Sequence, residues 1–427
     1  MRALADWEAY IERLHPRRMV LGLERVARVL SRLPRPTAPP PVITVAGTNG
    51  KGSCVAYLEA VLGAAGYRTG AYTSPHLLRY NERVRIGGAE APDALLCEAF
   101  QAVEGARRGE PLTYFEFGTL AALVAFWSRD AEVLLLEVGM GGRLDAVNVL
   151  DPDAAVVTGV DLDHTLWLGE SREAIGREKA GIFRPGRPAV CGRDCPATVT
   201  DRARALGAPC FRLGREFGWR EAGPGRWDWW GPGRVWPGLP PVGAGAHQRD
   251  NAACALMALA ALDGVLAVDV PALRAGLARA RLPGRCQVLP GRPRRILDVA
   301  HNPQAAGRLA EWLRAEPVAG TTHAVCAMLA DKDHGGVLGR LAGQVDRWYL
   351  AGLASVARGA PAAVLREALA RTGGARRVSV HEGVAEAWSA ACAAAGPDDR
   401  IVAFGSFHTV GAIMAALSPP AAPPASR

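Results

Sequence analysis

The stretch PVITVAGTNGKGSCVAYLEAVLGAAG, residues 41–66, constrains the fold more than any other. A β-branched apolar run meets three glycines set around one lysine, and a helix-spaced apolar run follows. Strand, glycine turn and helix in that order put backbone N–H groups and a helix N-terminus around anionic oxygens. Lys51 adds a point charge suited to phosphate, and the Ser53 hydroxyl is placed to reach Mg²⁺. The spacing is a variant of the common phosphate loop, because Gly52 separates the lysine from the serine. A bare glycine turn would explain the glycines but not the lysine and serine set among them.

Composition sharpens the reading of that lysine. The chain has 50 Lys plus Arg, yet only three are lysine: Lys51, Lys179 and Lys332. A compact ammonium fits a tight loop where a planar guanidinium does not. At Lys179, in GREKAGIF, the chemistry specific to lysine is loss of a proton and reaction with CO₂ to give an anionic carbamate. Arginine is barred from this by a pKa above about 12. A solvated lysine on a helix is the competing reading.

Elsewhere, apolar strand-like runs alternate with helix-spaced segments, the pattern of parallel α/β architecture. PVITVAG, TGAYTS, EVLLLEVG, AAVVTGV and RPAVCG read as strands of a first domain, and Ser171 reads as a helix cap. Residues 211–246 are rich in Gly, Pro and Trp and read as a small β insert whose tryptophans pack a sheet. RRILDVA, HAVCAML, RWYLAG, RRVSV and RIVAFG read as strands of a second, smaller Rossmann-like domain. The expected division is 1–288, 289–418 and a disordered tail, 419–427.

The nine cysteines are scattered and without zinc spacing, so they read as reduced thiols. No apolar stretch reads as a signal peptide or a membrane span, so a cytoplasmic protein without a membrane partner is expected. The net charge of +8 is spread along the chain without a basic block. That argues against nucleic acid and suits polyanionic small molecules.

Polar residues gather at expected strand ends. Ser74 and His76 follow TGAYT, Glu137 ends EVLLLE, and Asp161, Asp163 and His164 follow AAVVTGV. Ligands of open α/β sheets bind at the carboxyl ends of strands. Ser, Glu and His at three such ends offer oxygen and imidazole ligands to one or two Mg²⁺ ions.

Taken in order, VAGTNGKGS, AYTSPHLLRYNERVRI, LTYFEFGTLAAL, LEVGMGGRLDAVN, LDHTLWLG, REKAGIFRPGRPAV, LPGRCQV, LDVAHNP and GSFHTV resemble the folylpolyglutamate synthase / dihydrofolate synthase family, relatives of the Mur ligases. The resemblance implies a P-loop ATPase-type parallel-sheet domain followed by the smaller α/β domain. It also implies an ATP-dependent ligase that phosphorylates a pterin carboxylate and joins it to L-glutamate. The substrates are dihydropteroate, to give dihydrofolate, and tetrahydrofolates, to give polyglutamates; a synthase of folylpolyglutamates alone is the alternative.

Residue by residue, the resemblance gives Thr48, Asn49, Gly50, Lys51, Gly52 and Ser53 to the ATP phosphates, and Asn251, Arg285, Asp298 and His301 to the nucleotide. It gives Ser74, Glu137, His164 and a carbamylated Lys179 to Mg²⁺, with two ions expected and a monovalent cation as a further candidate. Thr113, Tyr114, Phe115 and Glu116 match one pterin-contacting segment, and Leu144, Asp145 and Ala146 the other. Lys51, Lys179 and His164 are the expected catalytic set, and a monomer is expected. Lys332 is divided between a glutamate- or folate-contacting role and a structural one.

Two departures stand out. Val147 replaces the usual threonine of LDATN, and HQRDN lacks the usual proline before Asn251. A Mur ligase for UDP-linked peptides would need a further N-terminal domain, for which the 46 residues before Gly47 leave no room. A P-loop switch or nucleic-acid-dependent ATPase would need a switch loop or a basic groove, and neither is read.

Overall fold

The computed structural model describes residues 2–15, 20–373 and 377–417. The expected tail, 419–427, lies outside the described residues. The chain divides into two compact units, Met1–Val242 with Ala246–Arg281, and Gly243–Gly245 with Leu282–Arg427.

The first unit is built on an eight-stranded sheet: β1 (Val42–Ala46), β2 (Thr69–Tyr72), β3 (Val84–Ile86), β4 (Ala89–Glu90), β5 (Val133–Glu137), β6 (Ala154–Val157), β7 (Ala189–Cys191) and β8 (Cys210–Arg212). Their order across the sheet is β4-β3-β2-β5-β1-β6-β7-β8. All pairings are parallel except those of β3 with β2 and β4. Strands β1, β5 and β6 are buried along their whole length, which is why they read as unbroken apolar runs rather than alternating ones. All five strands expected here form. β8 is an addition: Phe211 belongs to the main sheet, and the insert begins after it.

The insert is a three-stranded antiparallel sheet, β9 (Gly218–Glu221), β10 (Trp227–Gly231) and β11 (Arg234–Leu239). Trp229 and Trp236 stack across β10 and β11 with ring centroids 4.4 Å apart, and the Trp229 indole N–H donates to the Ala253 carbonyl at 3.2 Å. These rings are buried, so they pack the insert as expected and form no open stacking platform.

The second unit carries β12 (Gln287–Leu289), β13 (Arg294–Leu297), β14 (Thr322–Cys326), β15 (Arg347–Ala351), β16 (Val378–His381) and β17 (Arg400–Phe404), in the order β12-β13-β17-β14-β15-β16. Only β12 runs antiparallel. The expected boundary at 288/289 needs correction. It would cut β12, whose Gln287, Val288 and Leu289 pair with Leu297, Ile296 and Arg295. A three-residue strand with one partner is too short to announce itself in sequence.

The helix Lys51–Ala64 that follows β1 is held by close backbone contact. Gly276, on the helix Val270–Arg279, lies so near that a Cβ there would meet Val61 Cα at 2.4 Å and the Ala60 carbonyl oxygen at 2.6 Å. A side chain at 276 gains helix propensity of up to about 1 kcal/mol, but it forces the two helices apart. Overpacking of this kind costs about 1–3 kcal/mol. Gly276→Val is therefore expected to lower the thermal midpoint measured by circular dichroism, and an unchanged or raised midpoint would refute this close packing.

Candidate active site

The site grows from the central strands. The glycine loop leaves β1, which lies between β5 and β6, so the carboxyl ends of β2, β5, β1 and β6 form one row around it. Two glycines are required by space. A Cβ on Gly47 would sit 2.0 Å from Thr158 Oγ1, and one on Gly50, which has φ 88°, would sit 2.3 Å from Asn251 Oδ1. Thr158 Oγ donates to the Asn49 carbonyl at 2.6 Å. Thr48 Oγ donates to the Asp161 carbonyl and accepts from the Asp161 N–H, both at 3.0 Å. The loop is thus pinned on one side by the β6 end and on the other by Asn251 from the helix Ala246–Ala261. Asn251 reaches the loop without the family's proline. Thr158 was not singled out from sequence, since a threonine in an apolar strand end carries no motif signal.

Lys51 Nζ folds back to donate to the Gly47 and Thr48 carbonyls at 3.1 and 3.3 Å. Lys179, buried at the end of the helix Arg172–Lys179, donates to the same Gly47 carbonyl at 3.0 Å. Sharing one acceptor puts the two amines no more than about 6 Å apart. Two full charges at that distance repel by about 3 kcal/mol at an effective dielectric of about 20. Burial, and then Lys51, push the Lys179 pKa down to about 7, while Asp163 and Asp145 oppose the fall. The reading of Lys179 as a solvated helix lysine is therefore wrong. Asp145 is shifted the other way: burial raises its carboxyl to about 7 against the N–H groups of Met140 and Val147.

At the β2–β5 ends, the Ser74 N–H donates to Glu137 Oε2 at 3.1 Å. A Cβ on Gly52 would lie 3.5 Å from the same carboxylate, which therefore faces the start of the loop helix. Ser53 Oγ is buried and, among the described residues, has no hydrogen-bond partner. A buried hydroxyl left unpaired costs about 1–3 kcal/mol unless something supplies a contact. Hydroxyl and carboxylate oxygens are the donors that Mg²⁺ takes while keeping water or phosphate in its other positions. Among the described residues no three His, Cys, Asp or Glu side chains form a metal-holding group, so a cage made wholly of such side chains is not what this site offers.

His164 follows β6, three strand spacings of about 4.8 Å from β2. Ser74 and Glu137 follow and end the adjacent strands β2 and β5, whereas His164 follows β6, on the other side of β1. It has φ 52°, and its N–H donates to Asp163 Oδ1 at 2.9 Å.

The segment expected to contact pterin divides in its roles. Thr113 caps the helix Tyr114–Ser128, exchanging bonds with Glu116 at 2.8 and 3.3 Å. The other Glu116 oxygen accepts from Arg25 Nη2 at 2.7 Å. The polar atoms of Thr113 and Glu116 are thus engaged in shaping the segment. Tyr114 and Phe115 stay half-buried. Phe115 packs over Gly139, where a Cβ would meet its ring at 2.7 Å, and lies 5.7 Å from the Tyr72 ring. Arg83 stands over Tyr114 at 5.3 Å and donates to His76 Nδ1 at 2.8 Å. Neither Arg25 nor Arg83 was found from sequence, where one arginine among so many carries no signal. Ala146 and Val147 are buried and Leu144 is half-buried; Val147 fills core where the family's hydroxyl would sit.

In the second unit, the Asp298 carboxylate accepts from the Cys286 and Ala300 N–H groups at 2.8 and 2.7 Å. Arg285 lies over the Phe407 ring at 5.1 Å, and His301 stands 6.3 Å from the same ring. Arg285, Asp298 and His301 thus gather at the carboxyl end of β13. Lys332 is half-buried just before the helix His334–Leu341.

Residues 45–216 match the Mur ligase middle domain and residues 284–407 the Mur ligase glutamate ligase domain. The dihydrofolate synthase/folylpolyglutamate synthase of Escherichia coli K12 is 46% identical, over 96% of this chain and 94% of its own. The chain belongs to the dihydrofolate synthase/folylpolyglutamate synthase family. Among solved structures, E. coli FolC in complex with DHPP and ADP superposes with a TM-score of 0.91 at 45% identity, covering 97% of this chain and 98% of that one. A bifunctional folylpolyglutamate synthase/dihydrofolate synthase with Mn, AMPPNP and L-glutamate bound gives 0.88 at 46% identity, covering 98% of each. The protein is an ATP-dependent, divalent-metal-using ligase of folate metabolism, and the α/β fold class expected from sequence is correct.

The ligase should rise in thermal midpoint when ATP and Mg²⁺ bind, by linkage to the folded state. Lys51 is half-exposed and contributes little packing. Lys51→Ala is therefore expected to keep a midpoint within a few degrees of the parent but to lose most of the nucleotide-induced rise. Full retention of that rise would remove Lys51 from the phosphate site.

Proposed function

We propose that this ligase adds L-glutamate both to dihydropteroate and to reduced folates, through an acyl phosphate, at one ATP site. A substrate carboxylate oxygen attacks the γ-phosphorus, ADP leaves, and the glutamate amine attacks the acyl carbon. The amine then loses a proton, and phosphate leaves with the former carboxylate oxygen. Thr48 to Ser53 hold the phosphates, with the loop N–H groups and Lys51 opposing the charge that moves between them. Arg285, Asp298 and His301 are assigned to the nucleotide.

Ser53, Ser74 and Glu137 would hold one Mg²⁺, and Glu137, His164 and the Lys179 carbamate a second. When bound, the ions offset negative charge on the phosphate and carboxylate oxygens. Lys179 supports this reading by its environment. An amine with a pKa of about 7 is substantially neutral at physiological pH and is a nucleophile toward CO₂. N–C bond formation from the neutral amine releases one proton, after the one already lost from the ammonium form, and leaves an anion beside Lys51 in place of a second cation.

The observation that carries the reading is the short path from phosphate loop to aromatic wall. Glu137 faces Gly52, and two residues later Gly139 lies beneath Phe115. A planar heterocycle bound against Phe115, Tyr72 and Tyr114 gains stacking area. Dihydropteroate and glutamylated folates differ by one glutamyl unit between ring and reacting carboxylate. One ATP site therefore serves both only if the pterin lies in two places or its binding loop shifts. We assign the Phe115 wall and the Leu144–Ala146 segment to dihydropteroate, with the longer substrates placing their pterin elsewhere. The enzyme is read as a cytoplasmic monomer.

The test is a steady-state assay of both substrates with ATP and glutamate. Phe115→Ala is expected to lower kcat/KM for dihydropteroate on the order of tenfold or more, consistent with loss of a stacked aromatic contact, and to change it little for tetrahydrofolate. Equal loss on both would mean one shared pterin pocket. No dihydropteroate activity in the parent would restrict the enzyme to folylpolyglutamate synthesis.

A further inference from the structure

An open surface cavity of about 490 Å³ in the first unit is lined by Arg143, Leu168, Ala174, Arg177, Glu178 and Arg202. Three guanidinium groups and one carboxylate leave it with a net positive charge. Arg143 is partly committed, donating to Glu178 Oε1 through Nη2 at 3.0 Å and Nε at 3.2 Å. Arg177 and Arg202 are exposed, and among the described residues their guanidinium groups have no hydrogen-bond or ion-pair partner. Two unpaired arginines facing one cavity are arranged to receive carboxylates.

The cavity shares its wall with the active site. The Arg143 N–H donates to the Glu178 carbonyl at 2.8 Å. A Cβ on Gly142 would meet the Glu178 and Lys179 carbonyl oxygens at 2.8 Å each, so the two segments touch backbone to backbone. From this junction Lys179 turns inward to the Gly47 carbonyl, while Arg143, Arg177 and Glu178 line the cavity. Arg143 also directly precedes the Leu144–Ala146 segment. Leu168 is buried, with Gly141 close beneath its side chain, and gives the cavity an apolar floor beside Ala174.

We propose that this cavity binds the poly-γ-glutamyl tail of the ligase's own longer substrates, an inference that rests on the folate-extending activity proposed above. Each glutamyl unit repeats one carboxylate and two methylenes. Carboxylates match Arg177 and Arg202, and methylenes match Leu168 and Ala174. Dihydropteroate has only its reacting carboxylate and nothing to place there. The cavity therefore distinguishes substrates by tail length without touching the reacting atoms.

The experiment compares the parent with Arg177→Ala/Arg202→Ala in two assays. In the first, KM and kcat are measured for dihydropteroate, monoglutamyl tetrahydrofolate and tetraglutamyl tetrahydrofolate. The double variant is expected to raise KM for the tetraglutamate about five- to tenfold, as expected for losing exposed pairs that are individually weak, with kcat kept. KM for dihydropteroate should stay within about twofold, within the scatter of effects for exposed charges. Added NaCl should raise the parent's KM for the tetraglutamate alone. In the second, a fluorescein-labelled tetra-γ-glutamate without pterin is titrated by anisotropy; it should bind the parent and not the variant. A KM unchanged at every tail length, a rise shared by dihydropteroate, or equal peptide binding by both proteins would each overturn the proposal. A parent that extends no folate would overturn the folate-extending reading instead, and the peptide titration would still decide whether the cavity takes such a tail.

Discussion

Two lysine amines converge on the carbonyl oxygen of Gly47, and the chemistry of the site depends on how that conflict is resolved. Gly47 begins the phosphate loop, so any charge placed on its carbonyl side is felt by whatever the loop binds. Lys51 is the half-exposed partner, and Lys179 is the buried one. Burial disfavours the charged form, and a neighbouring cation disfavours it further. The buried amine is therefore the one that gives up its proton more readily, with its pKa pushed down to about 7. A neutral, nucleophilic amine then stands where an anionic group would best offset the positive charge gathered for ATP. The surrounding fold sustains this: Thr158 and Asn251 hold the loop, and the Gly142 contact fixes the end of the Lys179 helix.

The same crowding explains why glycine appears where it does. Gly47, Gly50, Gly139 and Gly142 each lie against another group at a distance that excludes a Cβ. The first two contacts join the phosphate loop to the β6 end and to Asn251, and the last two join the segment after β5 to the Phe115 wall and to the Lys179 helix. The phosphate loop, the segment after β5 and the aromatic segment are thereby packed against their neighbours. Displacing any one of them displaces its neighbours, because close-packed interiors transmit strain. Gly276 extends the argument to the far side of the loop helix.

Much of this was legible in the sequence, and for a physical reason. Strands buried on both faces, such as Val133–Glu137, leave long apolar runs, and the glycine loop needs its residues in a fixed order. The scarcity of lysine marked Lys179 before its surroundings were known. What stayed hidden depends on contacts between distant residues. Strands β8 and β12 have three residues each and gain their identity from a partner. Glu116 lies in the segment expected to contact substrate, and the sharing of its carboxylate between the helix cap and Arg25 depends on a residue 91 positions away. Arg25, Arg83 and Thr158 carry no local pattern, and the Arg177–Arg202 cavity joins two separate helices. In an arginine-rich chain a single arginine carries no signal, whereas each of the three lysines stands out.

The central claim is that Lys179 is chemically distinct from every other cation in the chain. Carbon-13 NMR of the folded ligase in labelled bicarbonate tests it most directly, followed across pH. The account predicts one carbamate carbonyl resonance that builds as pH rises through about 7, where the neutral amine becomes the main form. The resonance should be absent in Lys179→Ala, present in Lys51→Ala, and lost on unfolding. A parent enzyme that is fully active and shows no such resonance, or one whose resonance survives in Lys179→Ala, would contradict it.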